Sequence, residues 1–264
     1  MINYSPVYRY ISLNVWGNLP SQVQRHISRI YSNLYNKSFS RFIIKPYCKW
    51  NYSDPRYLDQ FRPASGRDDY SSFQDFFTRV YKKLPTFNSD HVWPCEGLLC
   101  DYGQVDELSK INVKGDRRTI RAIFGSMGDE ISGDSFFSNV FLHNNNYHRI
   151  HSPVEAEVVD IERIHGDLVL LRPWVYKNDP SLPALRNERV NIKLKDGDGR
   201  YWYLSIVGGP AVGTIVLKDT TQRGAFLQLG QEVGKFLLGS TCCIISPLPS
   251  GHQAGDMVFM GDDY

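Results

Sequence analysis

Residues 190–206 read VNIKLKDGDGRYWYLSI. Val190, Ile192 and Leu194 alternate with polar residues, and Trp202, Leu204 and Ile206 do the same beyond Asp196-Gly-Asp-Gly199. A period of two sends every second side chain to one face, so each run predicts a strand and the Gly/Asp cluster a turn. Val154, Ala156 and Val158 repeat the pattern upstream. Residues 212–217 and 242–245, largely apolar, read as more fully buried strands. Gly166-Asp167 and Gly208-Gly-Pro210 mark further turns. Residues 120–124 and 136–142 fit helix or strand equally. From Pro94 onward the pattern predicts a mainly antiparallel β body.

The front of the chain has a different rhythm. From Ser21, the residues Val23, Ile27, Ile30, Tyr31 and Leu34 fall on one helix face, with Arg25, His26, Arg29 and Lys37 largely off it. Residues 39–45 (FSRFIIK) extend this helical region as far as Pro46. Residues 54–70 are a polar connector rich in turn-formers, and residues 71–84 (SSFQDFFTRVYKKL) predict a short helix capped at Ser71 or Ser72. The expected class is α+β, with N-terminal amphipathic helices packed on a mainly antiparallel β-sheet core. Residues 1–53 form a basic, aromatic-rich head and residues 54–264 the body.

Composition narrows the function classes. In 264 residues, 42% hydrophobic content supplies a sizeable core and excludes wholesale disorder. No stretch approaches the ~18–20 apolar residues of a membrane span, and no secretory leader is expected. Cys48, Cys95, Cys100, Cys242 and Cys243 are odd in number and irregularly spaced, which predicts reduced thiols. The net charge of +2 hides an asymmetry. Residues 1–53 carry seven Lys/Arg and no Asp or Glu, while the remainder carries 23 basic and 28 acidic residues. Such a head seeks a polyanion. An acid-free amphipathic helix bearing aromatics can lie in an anionic lipid interface. It can equally pack as an ordinary helical pair or serve as an organelle transit sequence. No nucleic-acid recognition motif accompanies it.

The densest polar cluster is His143-Asn-Asn-Asn-Tyr-His148-Arg-Ile-His151-Ser-Pro153. It lacks a further suitably spaced ligand group, so no metal is assigned. Two readings stay open: histidines satisfied by backbone groups, or a paired acid/base site. Gly208-Gly-Pro-Ala-Val-Gly213 lacks the Lys-Ser/Thr ending of a phosphate loop and predicts a turn or a close backbone approach. Leu238-Gly-Ser-Thr241 fits a strand-entry turn, and it also fits a chemical reading. Attack of the Ser240 hydroxyl on the Gly239 carbonyl gives an ester once a base removes the hydroxyl proton. β-Elimination from that ester leaves dehydroalanine, which hydrolyses to a pyruvoyl group and ammonia.

Five segments occur in order: Phe76-Phe-Thr-Arg79, Tyr147-His-Arg-Ile-His-Ser-Pro153, Asn187-Glu-Arg-Val190, Val207-Gly208 with Val212-Gly213, and Gly230-Gln-Glu-Val-Gly-Lys-Phe-Leu-Leu-Gly-Ser-Thr241. Over residues 71–245 the chain resembles the pyruvoyl-dependent phosphatidylserine decarboxylases. The resemblance implies conversion of phosphatidylserine to phosphatidylethanolamine and CO2 through a Schiff base to a pyruvoyl group derived from Ser240. It implies self-cleavage between Gly239 and Ser240 into a 1–239 β chain and a 240–264 α chain. It places His151 with Glu96 and Ser240 in the processing triad, and assigns His148 to the decarboxylation step. It further implies a peripheral enzyme on an anionic membrane surface, at the cytoplasmic side of the cell membrane or on the mitochondrial inner membrane, and is compatible with a homodimer.

The sequence departs from that family at three points. Pro94-Cys95-Glu96-Gly97 stands where Pro-x-Asp-Gly is usual, Asn146 where an Asp commonly precedes the Tyr-His pair, and Ala156 where Gly is usual. Glu96 keeps a carboxylate to orient an imidazole but adds a methylene, and such geometry tolerates about 0.5 Å of error. Two alternatives therefore stand beside the lipid decarboxylase: an uncleaved lipid- or partner-binding member, and a pyruvoyl decarboxylase of a soluble amino acid.

Overall fold

The VNIKLKDGDGRYWYLSI segment forms the hairpin that its alternation predicts. The computed structural model describes residues 7, 10–15, 18–171, 175, 176, 179–209, 213–237 and 239–264. In it Arg189–Asp196 pairs antiparallel with Tyr201–Gly208, placing Val190 opposite Ile206, Ile192 opposite Leu204 and Leu194 opposite Trp202. All six side chains are fully buried in one core, where each aliphatic side chain contributes on the order of 1.5–3 kcal/mol. The turn is held by the Asp196 carboxylate, whose Oδ1 accepts the N–H groups of Asp198 and Arg200.

In chain order, β1 (Phe61–Arg62) and β2 (Val80–Tyr81) form a small clip, and β3 (Gly97–Gln104) enters the body. β4 (Ile111–Val113) and β5 (Asp116–Arg118) make a hairpin. Then follow β6 (Phe136–Leu142), β7 (Arg149–His151), β8 (Ala156–Ile164), β9 (Arg189–Asp196) and β10 (Tyr201–Gly208). The last strands are β11 (Ile215–Leu217), β12 (Phe226–Leu227), β13 (Glu232–Phe236), β14 (Ser240–Ser246) and β15 (Met257–Val258). Eight of them build one antiparallel sheet in the order β12-β8-β9-β10-β14-β6-β3-β15, and β11-β13-β7 build a smaller one. The core between them joins Ile192, Leu204 and Cys242 of the large sheet to Ile150, Val233 and Phe236 of the small one.

The other face of the large sheet is covered as well. Ile123, Phe124 and Met127 of the 3-10 segment Ile120–Glu130 pack with Leu182 and Leu185 on Phe137, Tyr203, Val207, Cys243 and Ile245. Helical turns therefore occupy residues 120–124 and a strand occupies 136–142, which resolves the two ambiguous segments. The strand expected over residues 212–217 is confined to Ile215–Leu217, where Val216 is 38% exposed, and Val212 lies outside the described residues.

The head holds helices α1 (Ser21–Asn36) and α2 (Ile44–Asn51), joined by the 3-10 turn Ser38–Ile43. Pro46 does not end the region, because it sits in the first turn of α2, where a missing N–H breaks no helical bond. The short helix α3 (Phe73–Phe77) starts at Ser72, whose hydroxyl accepts the Asp75 N–H. The head meets α3 through the Tyr35 and Phe73 rings, 5.1 Å apart, the Tyr47 and Phe73 rings, also 5.1 Å apart, and the Ser40 hydroxyl, which accepts the Phe73 N–H at 2.8 Å. The apolar stripe expected to pack on the sheet faces outward instead. Val23, Ile27, Ile30 and Leu34 are 43–52% exposed, and Trp50 is 83% exposed. The body takes up Leu13 together with aromatic and hydroxyl groups of the head, and the stripe stays about half exposed. Arg9, Trp16 and the side chains of Arg25, Arg29 and Tyr31 lie outside the described residues.

Candidate active site

Ser240 opens β14, the strand between β10 and β6, and is paired with Gly208 on one side and Leu142 on the other. It is fully buried, and its hydroxyl has no hydrogen-bond partner. Such a group forfeits about 1–3 kcal/mol and asks for an explanation. Gly239 before it has φ +35°, in the left-handed region that favours glycine. Gly209 makes room for the same peptide, since a Cβ there would stand 2.6 Å from the Gly239 carbonyl oxygen. The glycine pair at 208 and 209 thus serves a close backbone approach, one of the two readings of that motif. Leu238 lies outside the described residues.

His148 is fully buried against Phe77, with ring centroids 3.8 Å apart. Its Nδ1 lies 2.8 Å from the Asn146 carbonyl. A carbonyl only accepts, so Nδ1 carries the proton and Nε2 holds the lone pair. That Nε2 has no partner. Burial, followed by the charge of Arg79, pushes the imidazole down to about 3, against a smaller upward pull from the backbone of Asn146 and Leu142. Leu142 is also the residue opposite Ser240. Leu142 is therefore a backbone neighbour of both the neutral imidazole and the residue with the free hydroxyl. The two groups are not hydrogen-bonded to each other.

His151 on β7 differs. Its Nδ1 donates to the Gly230 carbonyl at 2.7 Å, and its Nε2 accepts from the Tyr147 hydroxyl at 2.9 Å. Both ring nitrogens are occupied, and burial lowers the pKa to about 4. The third histidine of the cluster, His143, bonds Asn145 Oδ1 at the exposed rim.

Glu96, buried just before β3, accepts from the Tyr57 hydroxyl at 2.7 and 2.8 Å and from Asn146 Nδ2 at 2.7 Å. Burial raises its pKa, against hydrogen bonds from Asn146 and Tyr57 and the charge of Arg79. The Glu96–His151–Ser240 series implied by the resemblance does not form as a hydrogen-bonded chain. The carboxylate is engaged by Tyr57 and Asn146, and the imidazole of His151 is saturated by Gly230 and Tyr147. Glu96 instead connects through Asn146 to His148.

Sequence reasoning passed over three contributors. Arg79 is fully buried, donates to the carbonyls of Asn145 and Asn146 at 2.8 Å each, and lies over the Phe61 ring at 4.8 Å. Tyr57 comes from the connector, in the 3-10 turn Pro55–Gln60. Gln74 of α3 donates to the Leu237 carbonyl at 2.7 Å, steadying the approach to Gly239. Arg79 stood in a family motif and Gln74 in the quoted 71–84 stretch. The signal for Tyr57 was no more than an aromatic in a polar stretch.

The profile of the phosphatidylserine decarboxylase family matches residues 73–264. Among curated relatives named phosphatidylserine decarboxylase proenzyme, that of Methylobacillus flagellatus is 29% identical over 199 residues, covering 67% of this chain and 70% of its own. That of Variovorax paradoxus is 30% identical over 202 residues, covering 68% and 70%. That of Dechloromonas aromatica is 30% identical over 200 residues, covering 67% and 70%. The profile takes in Ser240, both buried histidines, Glu96 and Asn146, and leaves the basic head outside. The chain belongs to the phosphatidylserine decarboxylase family.

Proposed function

We propose that this chain is a phosphatidylserine decarboxylase proenzyme that breaks its backbone between Gly239 and Ser240, as the relatives' shared name suggests. The observation that carries the reading is the pair of buried, partnerless atoms, Ser240 Oγ and His148 Nε2, whose residues both neighbour the Leu142 backbone. Nε2 takes the hydroxyl proton as Oγ attacks the Gly239 carbonyl. The Asn146 carbonyl keeps Nδ1 protonated and so fixes the reactive tautomer. Phe77 closes one face of the ring and excludes water.

The site fits a pyruvoyl group made from residue 240, because a buried hydroxyl without a partner is what that conversion consumes. Such a group supplies a ketone that engages the substrate amine and accepts the electron pair left by departing CO2. After cleavage His148 Nε2 is the basic atom that holds the proton which replaces the lost carboxylate on the substrate carbon. His151 acts as a strut through Tyr147 and Gly230.

The head supplies the lipid surface. Val23, Ile27, Ile30, Leu34, Phe39, Phe42 and Trp50 are exposed beside Lys37, Arg41, Lys45 and Lys49. That combination suits an anionic interface, with each cation near the surface contributing about 1 kcal/mol. Among the described residues no helix is long and apolar enough to cross a membrane; the attachment proposed is peripheral, through the head.

The test is intact mass of the purified 30.3 kDa chain together with CO2 release from phosphatidylserine vesicles. Two fragments split ahead of position 240, with activity, support the reading. A chain that keeps its amide link on long incubation sinks it and leaves the uncleaved lipid-binding alternative, which the engagement of Glu96 away from His151 favours.

A further inference from the structure

Asn146 is bonded on every side. Its Oδ1 accepts the His143 N–H at 2.8 Å, and its Nδ2 donates to Glu96 Oε1 at 2.7 Å. Its backbone carbonyl accepts from His148 Nδ1 and from Arg79 Nη2, each at 2.8 Å. The two ends of the amide are therefore distinguished by their partners: the oxygen meets a donor and the nitrogen meets a carboxylate. An aspartate could satisfy only the first. Its second oxygen would face Glu96 at the distance of a hydrogen bond with no hydrogen to share.

We propose that Asn146 is a positioning residue of the processing centre, matched to the glutamate at position 96. Its side chain fastens the carboxylate while its own carbonyl orients His148, so one residue joins the two. The inference rests on the self-processing reading above. It also gives the two sequence departures a common cause. A longer carboxylate that reaches position 146 requires a donor there, because two carboxylates in one buried site cannot both ionise. Besides Asn146, the groups acting on Glu96 among the described residues include Tyr57, Tyr52, Tyr81, Cys95, Arg79 and the Tyr147 N–H. Those facing His148 are Arg79 and His143. Arg79 is the only strong cation among them, and its Nη2 is committed to the Asn145 and Asn146 carbonyls.

Asn146→Asp is expected to slow cleavage at about pH 8 by at least tenfold, with recovery towards about pH 5 as the carboxylate pair takes up a proton. Adding Glu96→Gln restores one donor against one carboxylate, with polarity reversed, and returns the rate at about pH 8 to within roughly threefold of the native chain. Wild-type speed in Asn146→Asp, or a double variant no faster than the single, overturns the proposal. If Asn146→Asp does not fold, the double variant carries the test: it must fold and cleave. A parallel arm uses the Ser240→Ala background, which cannot cleave. There Asn146→Asp lowers Tm more at about pH 8 than at about pH 5, and Glu96→Gln erases the difference. Absence of that pH-dependent loss refutes the pairing even if the native chain proves never to cleave. The two failures are thus told apart.

Discussion

The Tyr147 hydroxyl donates to Nε2 of His151 at 2.9 Å, and this bond removes the only nitrogen of that ring able to receive a proton. His148, three residues earlier, has the corresponding nitrogen bare. His148→Gln is accordingly expected to abolish cleavage in a protein that still folds. His151→Gln should cost about 1–3 kcal/mol of stability through its unpaired neighbours yet leave cleavage measurable. Denaturant melts and gel time courses read the two quantities separately. Loss of cleavage in a well-folded His151 variant, with cleavage intact in the His148 variant, reverses the assignment.

Gly209 is expected to matter as much as the residue being cut. A methyl there meets the Gly239 carbonyl oxygen at 2.6 Å, so Gly209→Ala must displace the carbonyl under attack. Cleavage should fall about a hundredfold, in line with the effect of ångström-scale misplacement of a reacting group, while the sheet itself persists. Gly239→Ala adds about 1–2 kcal/mol of backbone strain at φ +35°. Circular dichroism and a cleavage time course together check both variants.

Acid should destabilise the fold through the two buried histidines. Each has a folded pKa pushed below the ordinary 6.5, to about 3 for His148 and about 4 for His151. The unfolded chain therefore binds the extra protons. The stability held above about pH 6.5 is progressively lost as pH falls towards those folded values. At about pH 5 the deficit is about 2 kcal/mol for each histidine. Burial shifts Glu96 the other way, so its contribution is present at low pH and lost as pH rises through its elevated pKa, which offsets part of the change. Tm measured from about pH 7 to about pH 5 should fall by several degrees, and His148→Gln should remove part of that slope. A flat profile counts against neutral buried imidazoles.

Binding to vesicles should depend on both halves of the head. Trp50→Ala and Phe42→Ala remove the two most exposed large apolar side chains among the described residues and should each weaken partitioning several-fold. Reversing Lys45 and Lys49 to Glu should weaken binding to anionic vesicles by at least tenfold, with little effect on neutral ones. Flotation assays at low and high salt measure this, and salt-insensitive binding would contradict it.

Much of the body was legible because its signals are local. The alternation of Val190, Ile192 and Leu194 with Trp202, Leu204 and Ile206 became a register-matched hairpin. The Ser72 cap began a helix where its hydroxyl could accept an N–H. The second buried face of the large sheet was hidden because Tyr203 and Val207 owe their burial to residues 120–130, some eighty positions away. The role of Asn146 was hidden for another reason: half of it is played by a backbone carbonyl, which carries no side-chain signature. Tyr57 and Glu96 meet across 39 positions, and although Glu96 stood out in the sequence, nothing there joined it to Tyr57. The outward apolar stripe of α1 shows the limit of periodicity, which finds a face but does not say what covers it.

The position of Ser240 at the head of a strand laddered on both edges has a lasting consequence once the chain is cut. Every ladder partner of residues 240–246 belongs to residues 1–239, so the scission proposed above would leave a two-component assembly held by contacts made before it. Its melting releases a free peptide, and reassembly then depends on concentration rather than on a tether. In the cleaved form proposed above, folding competence would be spent in the act of maturation, and durability would be governed by the rate of fragment escape.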